Sequence, residues 1–340
     1  VIAGLEQLED RLSDPGPAAI DALARLDGDV LILGVAGKMG PSLARMVVRA
    51  SQEAGVSRRV IGVSRFSNPE PRRQLQEWGV ETVAGDLFDD RFIRVLPACP
   101  HVVYMVGRKF GTSGGEPITW ATNTYLPSCV CRRFSDSRIA AFSTGNVYRP
   151  MPVEGSRGSG ESDALAPVGE YAMSCLGRER LFEYFSRTQG TRLTILRLNY
   201  ATEMRYGVLV DIAQKVWHSE EVPLLVGYVN VIWQADANTM ALAALADAAS
   251  PPFVVNITGP ELISCRRVAE RFGALMRKPV RFSGTEGSVA LHSDARLAHE
   301  RFGVPRVGLD ELIGWTADWV MRNGPTLNKP THYEVLDGQF

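Results

Sequence analysis

Tyr171 and Cys175 stand four residues apart in Tyr171-Ala172-Met173-Ser174-Cys175, with Arg178 three residues further on. A phenol gives and takes protons efficiently near neutrality only when positive charge lowers its pKa from about 10. A residue four positions on shares its helical face. A lysine there, at about 5 Å with an effective dielectric near 20, would contribute on the order of 3 kcal/mol, roughly two pKa units. Cys175 cannot supply that charge, and three explanations stay open. The cation is displaced to Lys109, in Val106-Gly107-Arg108-Lys109-Phe110, or to Arg178; or the reaction needs no strongly acidified tyrosine; or the chain binds a ligand without catalysis. Lys109 is the preferred substitute because it follows a strand signal, at the carboxyl edge where ligands collect in doubly wound sheets. Arg178 also reads as a solvated helix charge. Cys175 as a nucleophile lacks a histidine nearby in sequence to activate it.

A second constellation suits phosphate. Val30-Leu31-Ile32-Leu33 runs into Gly34-Val35-Ala36-Gly37-Lys38-Met39-Gly40 and then into a helical pattern. Gly34 would permit the tight turn, Gly37 the close approach of backbone N–H groups to a pyrophosphate, and Gly40 close packing of helix on strand. Lys38 and Met39 lie in the same turn, with Lys38 placed to touch phosphate or to stay solvated. The second strand ends Val63-Ser64-Arg65, without the Asp or Glu that grips a ribose 2′-hydroxyl. Arg65 could pair with a 2′-phosphate, which favours NADP over NAD. Asp86 and Leu87, closing the third strand, would flank the adenine.

These residues need a frame to hold them. Short apolar runs at 30–33, 60–63, 80–84, 101–106, 138–142, 193–198 and 253–257 alternate with helical stretches, the pattern of a parallel sheet covered by helices on both faces. The fold class expected is α/β, a doubly wound sheet of about seven strands with a smaller C-terminal lobe. Residues 1–26 read as a helical extension broken at Pro15-Gly16-Pro17. Residues 27–198 and 233–260 form the nucleotide-binding domain, 199–232 and 261–330 a substrate-facing lobe, and 331–340 a tail. The region 153–166, rich in Gly, Ser, Glu and Pro, is a loop ahead of Tyr171. Helices are expected at Ser264–Met276, Ser293–Phe302 and Leu309–Met321, with Asp236 capping a helix over Ala237–Ala248. Tyr200, Tyr206, Trp217, Tyr228 and Trp233 offer either a substrate wall or core filling.

Bulk properties remove other classes. A net charge of −1 with no Lys/Arg stripe argues against nucleic acid. No apolar run approaches the roughly 20 residues that span a bilayer. Five scattered cysteines suggest neither a disulfide framework nor a zinc site, and a reducing cytoplasm is the simplest home. No metal is expected.

Taken together, the glycine turn, Gly85-Asp86, Asn123, Ser143-Thr144-Gly145-Asn146-Val147-Tyr148 and Tyr171xxxCys175 resemble the extended short-chain dehydrogenase/reductase superfamily. The nearest branch is the NAD(P)-dependent sugar-nucleotide epimerases and dehydratases. The resemblance implies that Thr144 bonds the substrate carbonyl or hydroxyl, that Tyr171 is the general acid or base, and that Asn123 orders the active-site helix. The family's lysine, which also bonds the nicotinamide ribose, is Cys175 here. The resemblance further implies a homodimer through helices at Ser113–Arg133 and Tyr171–Arg187.

Overall fold

Four consecutive apolar residues, Val30–Leu33, make a strand buried on both faces, which is the lot of a central strand in a helix-covered parallel sheet. In the computed structural model, which describes residues 1–329, 331–335 and 338, this strand (β1) is an interior strand of a sheet of seven. The others are β2 (Val60–Ser64), β3 (Glu81–Ala84), β4 (His101–Tyr104), β5 (Arg138–Thr144), β6 (Arg192–Leu198) and β7 (Phe253–Ile257). They lie in the order β7-β6-β5-β4-β1-β2-β3, every pairing parallel. The chain reverses direction across the sheet between β1 and β4, so their carboxyl ends splay apart and leave a crevice for a ligand.

Alternate side chains of β1 serve two cores. Leu31 and Leu33 pack with Ile61, Val102, Tyr104 and Phe182; Val30 and Ile32 pack with Leu8, Leu23, Met46 and Val47. The second core recruits the N-terminal helices Leu5–Leu12 and Pro17–Arg25. Gly16 between them lies so close to the helix Gln234–Ala244 that a Cβ would sit 2.6 Å from Thr239 Cγ2, and its N–H donates to Thr239 Oγ1 at 3.1 Å. That covering explains why every residue of Gln234–Ala244 is buried.

Three expected helices differ from their sequence reading, each for a visible reason. The helix expected from Ser293 begins at Arg296, because the backbone of His292 and Asp294 is already bonded to Ser159. Asp236 lies inside the first turn of its helix instead of capping it, and its carboxylate accepts from Val307 N at 3.0 Å and from Arg306. The helix expected over Ser113–Arg133 starts at Glu116 and widens into a π-turn at Ala121–Tyr125. Asn123 is therefore interior to that helix and not at its opening.

Beyond β6, Ala201–Thr202 pairs with Ile232–Trp233 and Glu221–Pro223 with Arg281–Ser283, flanked by helices Val208–Trp217, Cys265–Met276 and Leu309–Met321. Among the described residues, no helix is long and apolar enough to cross a membrane, and no cluster of His, Cys, Asp or Glu could hold a metal ion.

Candidate active site

The crevice holds two cavities with different characters. The first, about 380 Å³, is lined by Gly34, Gly37, Ser64, Arg65, Asp86, Leu87, Gly107 and Arg108. Gly34 takes φ +84°, and a Cβ there would press on the Met105 and Val106 backbone at 3.1 Å. At Gly40, the first residue of the helix Gly40–Glu53, a Cβ would lie 2.1 Å from Val35 O, so helix and strand could not meet with any larger residue. The turn thus brings a 14-residue helix N-terminus to the cavity floor, where its N–H groups and dipole favour an anion. Arg65 is exposed at the rim, and Asp86 accepts from Phe88 N at 3.0 Å. A dinucleotide's adenosine and pyrophosphate fit this donor set.

The second cavity, about 160 Å³, collects Thr144, Asn146, Tyr171, Lys38, Met39, Lys109, Tyr200, Tyr206 and Thr331. The strand β5 delivers Thr144, and the helix Gly169–Gln189 delivers Tyr171. Both line this cavity, and the Thr144 hydroxyl is close enough to act on the Tyr171 phenol. Burial pushes the Tyr171 phenol above its ordinary value, the Cys175 thiol beside it adds to the rise, and Arg178 and the Thr144 hydrogen bond pull it back. The Cys175 thiol is fully buried and also pushed up, chiefly by burial, which disfavours the thiolate that a nucleophile needs.

Arg178 is no solvated charge. Only 6% exposed, it donates to Phe142 O at 2.8 Å, Asn123 Oδ1 at 2.7 Å and Asn123 O at 3.3 Å. Its guanidinium lies against Gly107, where a Cβ would come within 2.9 Å of Nη2. Residues 171, 175 and 178 are spaced i, i+4, i+7, so all three share one helical face. Burial opposes the Arg178 charge, and Cys175, Tyr104, Tyr171 and Glu179 around it more than restore it. Asn123, expected to order the active-site helix, stands behind the wall: besides Arg178, it bonds Arg108 N at 2.8 Å, Arg108 O at 3.0 Å and Ser174 Oγ at 2.9 Å. The π-turn supplies the extra residue that lets one side chain reach all four.

Lys109 does reach the cavity. Its Nζ donates to Thr331 O at 3.2 Å, and burial lowers its pKa to about 8 against the pull of Asp211 and Cys175. Lys38, expected at phosphate or in solvent, turns the other way: its Nζ donates to Ala201 O at 2.9 Å and lies 4.8 Å from the Tyr206 ring centre. Burial lowers it to about 8 as well, with Glu203 opposing and Arg205 adding to the fall. Of the five aromatics, Tyr200 and Tyr206 line the cavity, whereas Trp233 packs edge-on against Trp315 at 5.6 Å in the core.

Behind the site, Glu179 and Arg197 form a buried ion pair at 2.8 Å. Ser143 donates to Glu179, and Arg197 donates to the Tyr148 hydroxyl, which donates to Asn256. This network fixes β5, β6 and the helix Gly169–Gln189 to one another. Sequence reasoning missed Asn146, which lines the cavity within the already singled-out Thr144–Tyr148 run, and Thr331, which carries no local pattern at all.

The family model for the NAD dependent epimerase/dehydratase family matches residues 30–202, and the chain belongs to that family. Similar solved structures include UDP-glucuronic acid 4-epimerase from Bacillus cereus in complex with UDP-glucuronic acid and NAD, 15% identical with a TM-score of 0.70 over 87% of this chain and 99% of that one. UDP-glucose 4-epimerase from Thermotoga maritima is 18% identical, with a TM-score of 0.68 over 87% and 99%. dTDP-glucose 4,6-dehydratase from Streptomyces venezuelae, with NAD bound, is 19% identical, with a TM-score of 0.70 over 87% and 97%. The sequence finds no match among curated proteins.

Proposed function

We propose that the protein is an NAD(P)-dependent enzyme that interconverts a hydroxyl and a keto group on a polar substrate, a nucleotide sugar being the leading class. The observation that carries this reading is the Thr144–Tyr171 hydroxyl pair at the end of the dinucleotide crevice, with a buried cation behind it. A bound nicotinamide would supply the hydride donor and acceptor. Tyr171 moves the proton at the substrate oxygen, and Thr144 orients that oxygen and accepts or donates the companion hydrogen bond. The two tasks of the missing lysine are divided. Arg178, whose charge acts on the phenol from behind the cavity wall, stabilises the phenolate through space; Lys109, on the wall, contacts ribose or substrate. Residues 199–232 and 261–330 are taken as the substrate-facing lobe.

NADP is favoured over NAD because Arg65 lines the adenosine cavity and no carboxylate closes β2. Mass identification of cofactor retained on purification, followed by NADH and NADPH titration by fluorescence, tests this. A homodimer is favoured by the apolar residues left exposed on the two expected helices, Ile118, Trp120 and Tyr125 with Met173 and Tyr184. A monomer by light scattering at working concentration would contradict it. All five cysteines are free and buried, which supports a reducing, cytoplasmic setting.

The second reading, a regulatory dinucleotide-binding protein, rests on Cys175 and on the burial that raises Tyr171. Tyr171-dependent turnover with NADPH across a panel of keto sugars would exclude it.

A further inference from the structure

Of the described C-terminal residues, Thr331 lies against the second cavity, and His332, Val335 and Gly338 line a smaller space adjoining it. Thr331 donates twice to Asp211 Oδ2, from its N–H at 2.9 Å and its hydroxyl at 2.6 Å. Its carbonyl accepts from Lys109 Nζ at 3.2 Å. The His332 ring lies 6.2 Å from Phe110, next to Lys109, and Tyr333 is 1% exposed. Further along, the Gly338 backbone touches Gly169, the first residue of the catalytic helix, so closely that a Cβ on Gly169 would be 2.4 Å from Gly338 O. His332, Val335 and Gly338 wall a cavity of only about 30 Å³ with Lys109, Asn146, Tyr148 and Tyr200.

The sizes decide what can enter. With this segment docked, the space lined by Tyr171 measures about 160 Å³, and the adjoining one, which shares Lys109, Asn146 and Tyr200 with it, about 30 Å³. Both fall short of the roughly 300 Å³ of the smallest pockets that take a drug-sized ligand. The adenosine cavity, about 380 Å³, is walled by none of the described tail residues. From this asymmetry we infer that the C-terminal segment is an autoinhibitory strap: it occupies the nicotinamide and substrate half of the site, engages Lys109 through the Thr331 carbonyl, and must leave before the nicotinamide half of the cofactor and the substrate can bind.

The inference rests on the reading of Lys109 as a ligand contact, and on nucleotide binding in the crevice. Asp211 is its anchor, because one carboxylate oxygen takes both donors of Thr331. A strap docked nine-tenths of the time raises an apparent dissociation constant about tenfold for any ligand that competes with it, and leaves other ligands unaffected.

Two probes separate the halves: ADP, which carries adenosine and pyrophosphate only, and NADP⁺, which adds the nicotinamide half. Each is titrated calorimetrically against the parent chain, a chain ending at residue 329, and full-length Asp211→Ala, with thermal melts confirming that each is folded. The expected result is NADP⁺ affinity about tenfold tighter after truncation and about threefold tighter in Asp211→Ala, with ADP affinity unchanged in both. Unchanged or weaker NADP⁺ binding in the folded variants would overturn the strap while leaving the nucleotide reading intact. Failure of both probes to bind any of the three proteins would remove the nucleotide reading and the strap with it. Should the truncated chain not fold, Asp211→Ala decides alone.

Discussion

The two halves of the crevice are built on opposite principles. The adenosine half is made from backbone: glycines admit N–H groups and a helix terminus, and side chains add detail at the rim. Such a site is written locally, since the residues that form it are the residues that turn the chain. The half proposed for proton transfer is made from side chains drawn from five places, β5, the helix Gly169–Gln189, the loop after β4, the glycine turn and the loop beyond β6, with Thr331 of the C-terminal segment lying against them. Charge there is supplied at a distance, so the residue that delivers it can change its position in the sequence without changing its place in space. On the proposed reading, Cys175 with Arg178 buried on the same helical face is one such exchange.

The comparison breaks first if Tyr171 is dispensable. Tyr171→Phe should lower kcat by about 10²–10⁴, the range of general acid–base catalysis, while NADP⁺ affinity by titration stays at the parent value. Equal loss in both quantities would mean that the halves are not separable.

Arg178 and a lysine at 175 should be mutually exclusive, since each would occupy the charge position beside Tyr171. Arg178→Met alone should cost about 3–5 kcal/mol in urea unfolding, the usual penalty for breaking a buried charged network. Cys175→Lys alone should also destabilise, by burying a second cation against the first. The double variant Cys175→Lys/Arg178→Met should recover most of that loss. Additive losses in this cycle would show that the two positions do not share a role.

On the adenosine side the sensitive atom is a missing one. Gly40→Ala should destabilise the protein by about 1–3 kcal/mol, because its Cβ would fall 2.1 Å from Val35 O, and should weaken ADP as much as NADP⁺.

The pH dependence distinguishes the two lysines. Both have folded pKa values of about 8, below the ordinary 10.5. The unfolded chain therefore holds more protons between those values, and stability should rise with pH across that window. Activity that needs charged Lys109 should instead fall as pH rises through about 8. Lys109→Met should abolish that limb of the kcat/KM profile, whereas Lys38→Met should leave it in place. The smallest effect is expected at Arg65, whose replacement by Ala should weaken NADPH about tenfold and NADH hardly at all, as a lost charge-assisted phosphate contact would.

How far the sequence could be read follows the same division. Val30–Leu33 and Phe253–Ile257 are strands over the residues their apolar runs mark, and Leu309–Met321 is a helix over the whole of its periodic pattern. Those signals are local, because burial on both faces demands unbroken apolar runs. The resemblance pointed to Asn123 as ordering the helix of Tyr171, but its partners Arg108 and Arg178 were not legible, since a π-turn leaves no sequence signature of its own. Asp236 looked like a cap because capping is the commonest use of an aspartate near a helix start; its real partners, Arg306 and Val307, are 70 residues away.

By itself the sequence determined the doubly wound sheet, the phosphate turn and the alignment of Tyr171, Cys175 and Arg178 on one helical face, because strand burial, glycine geometry and the 3.6-residue turn are properties of short segments. Only the tertiary structure decided that this face points inward, so that Arg178 is a buried charge and not a solvated one. Likewise it alone sent Lys38 across the cleft to Ala201 and brought Thr331 onto Lys109. Those outcomes depend on what packs against each segment from elsewhere in the chain.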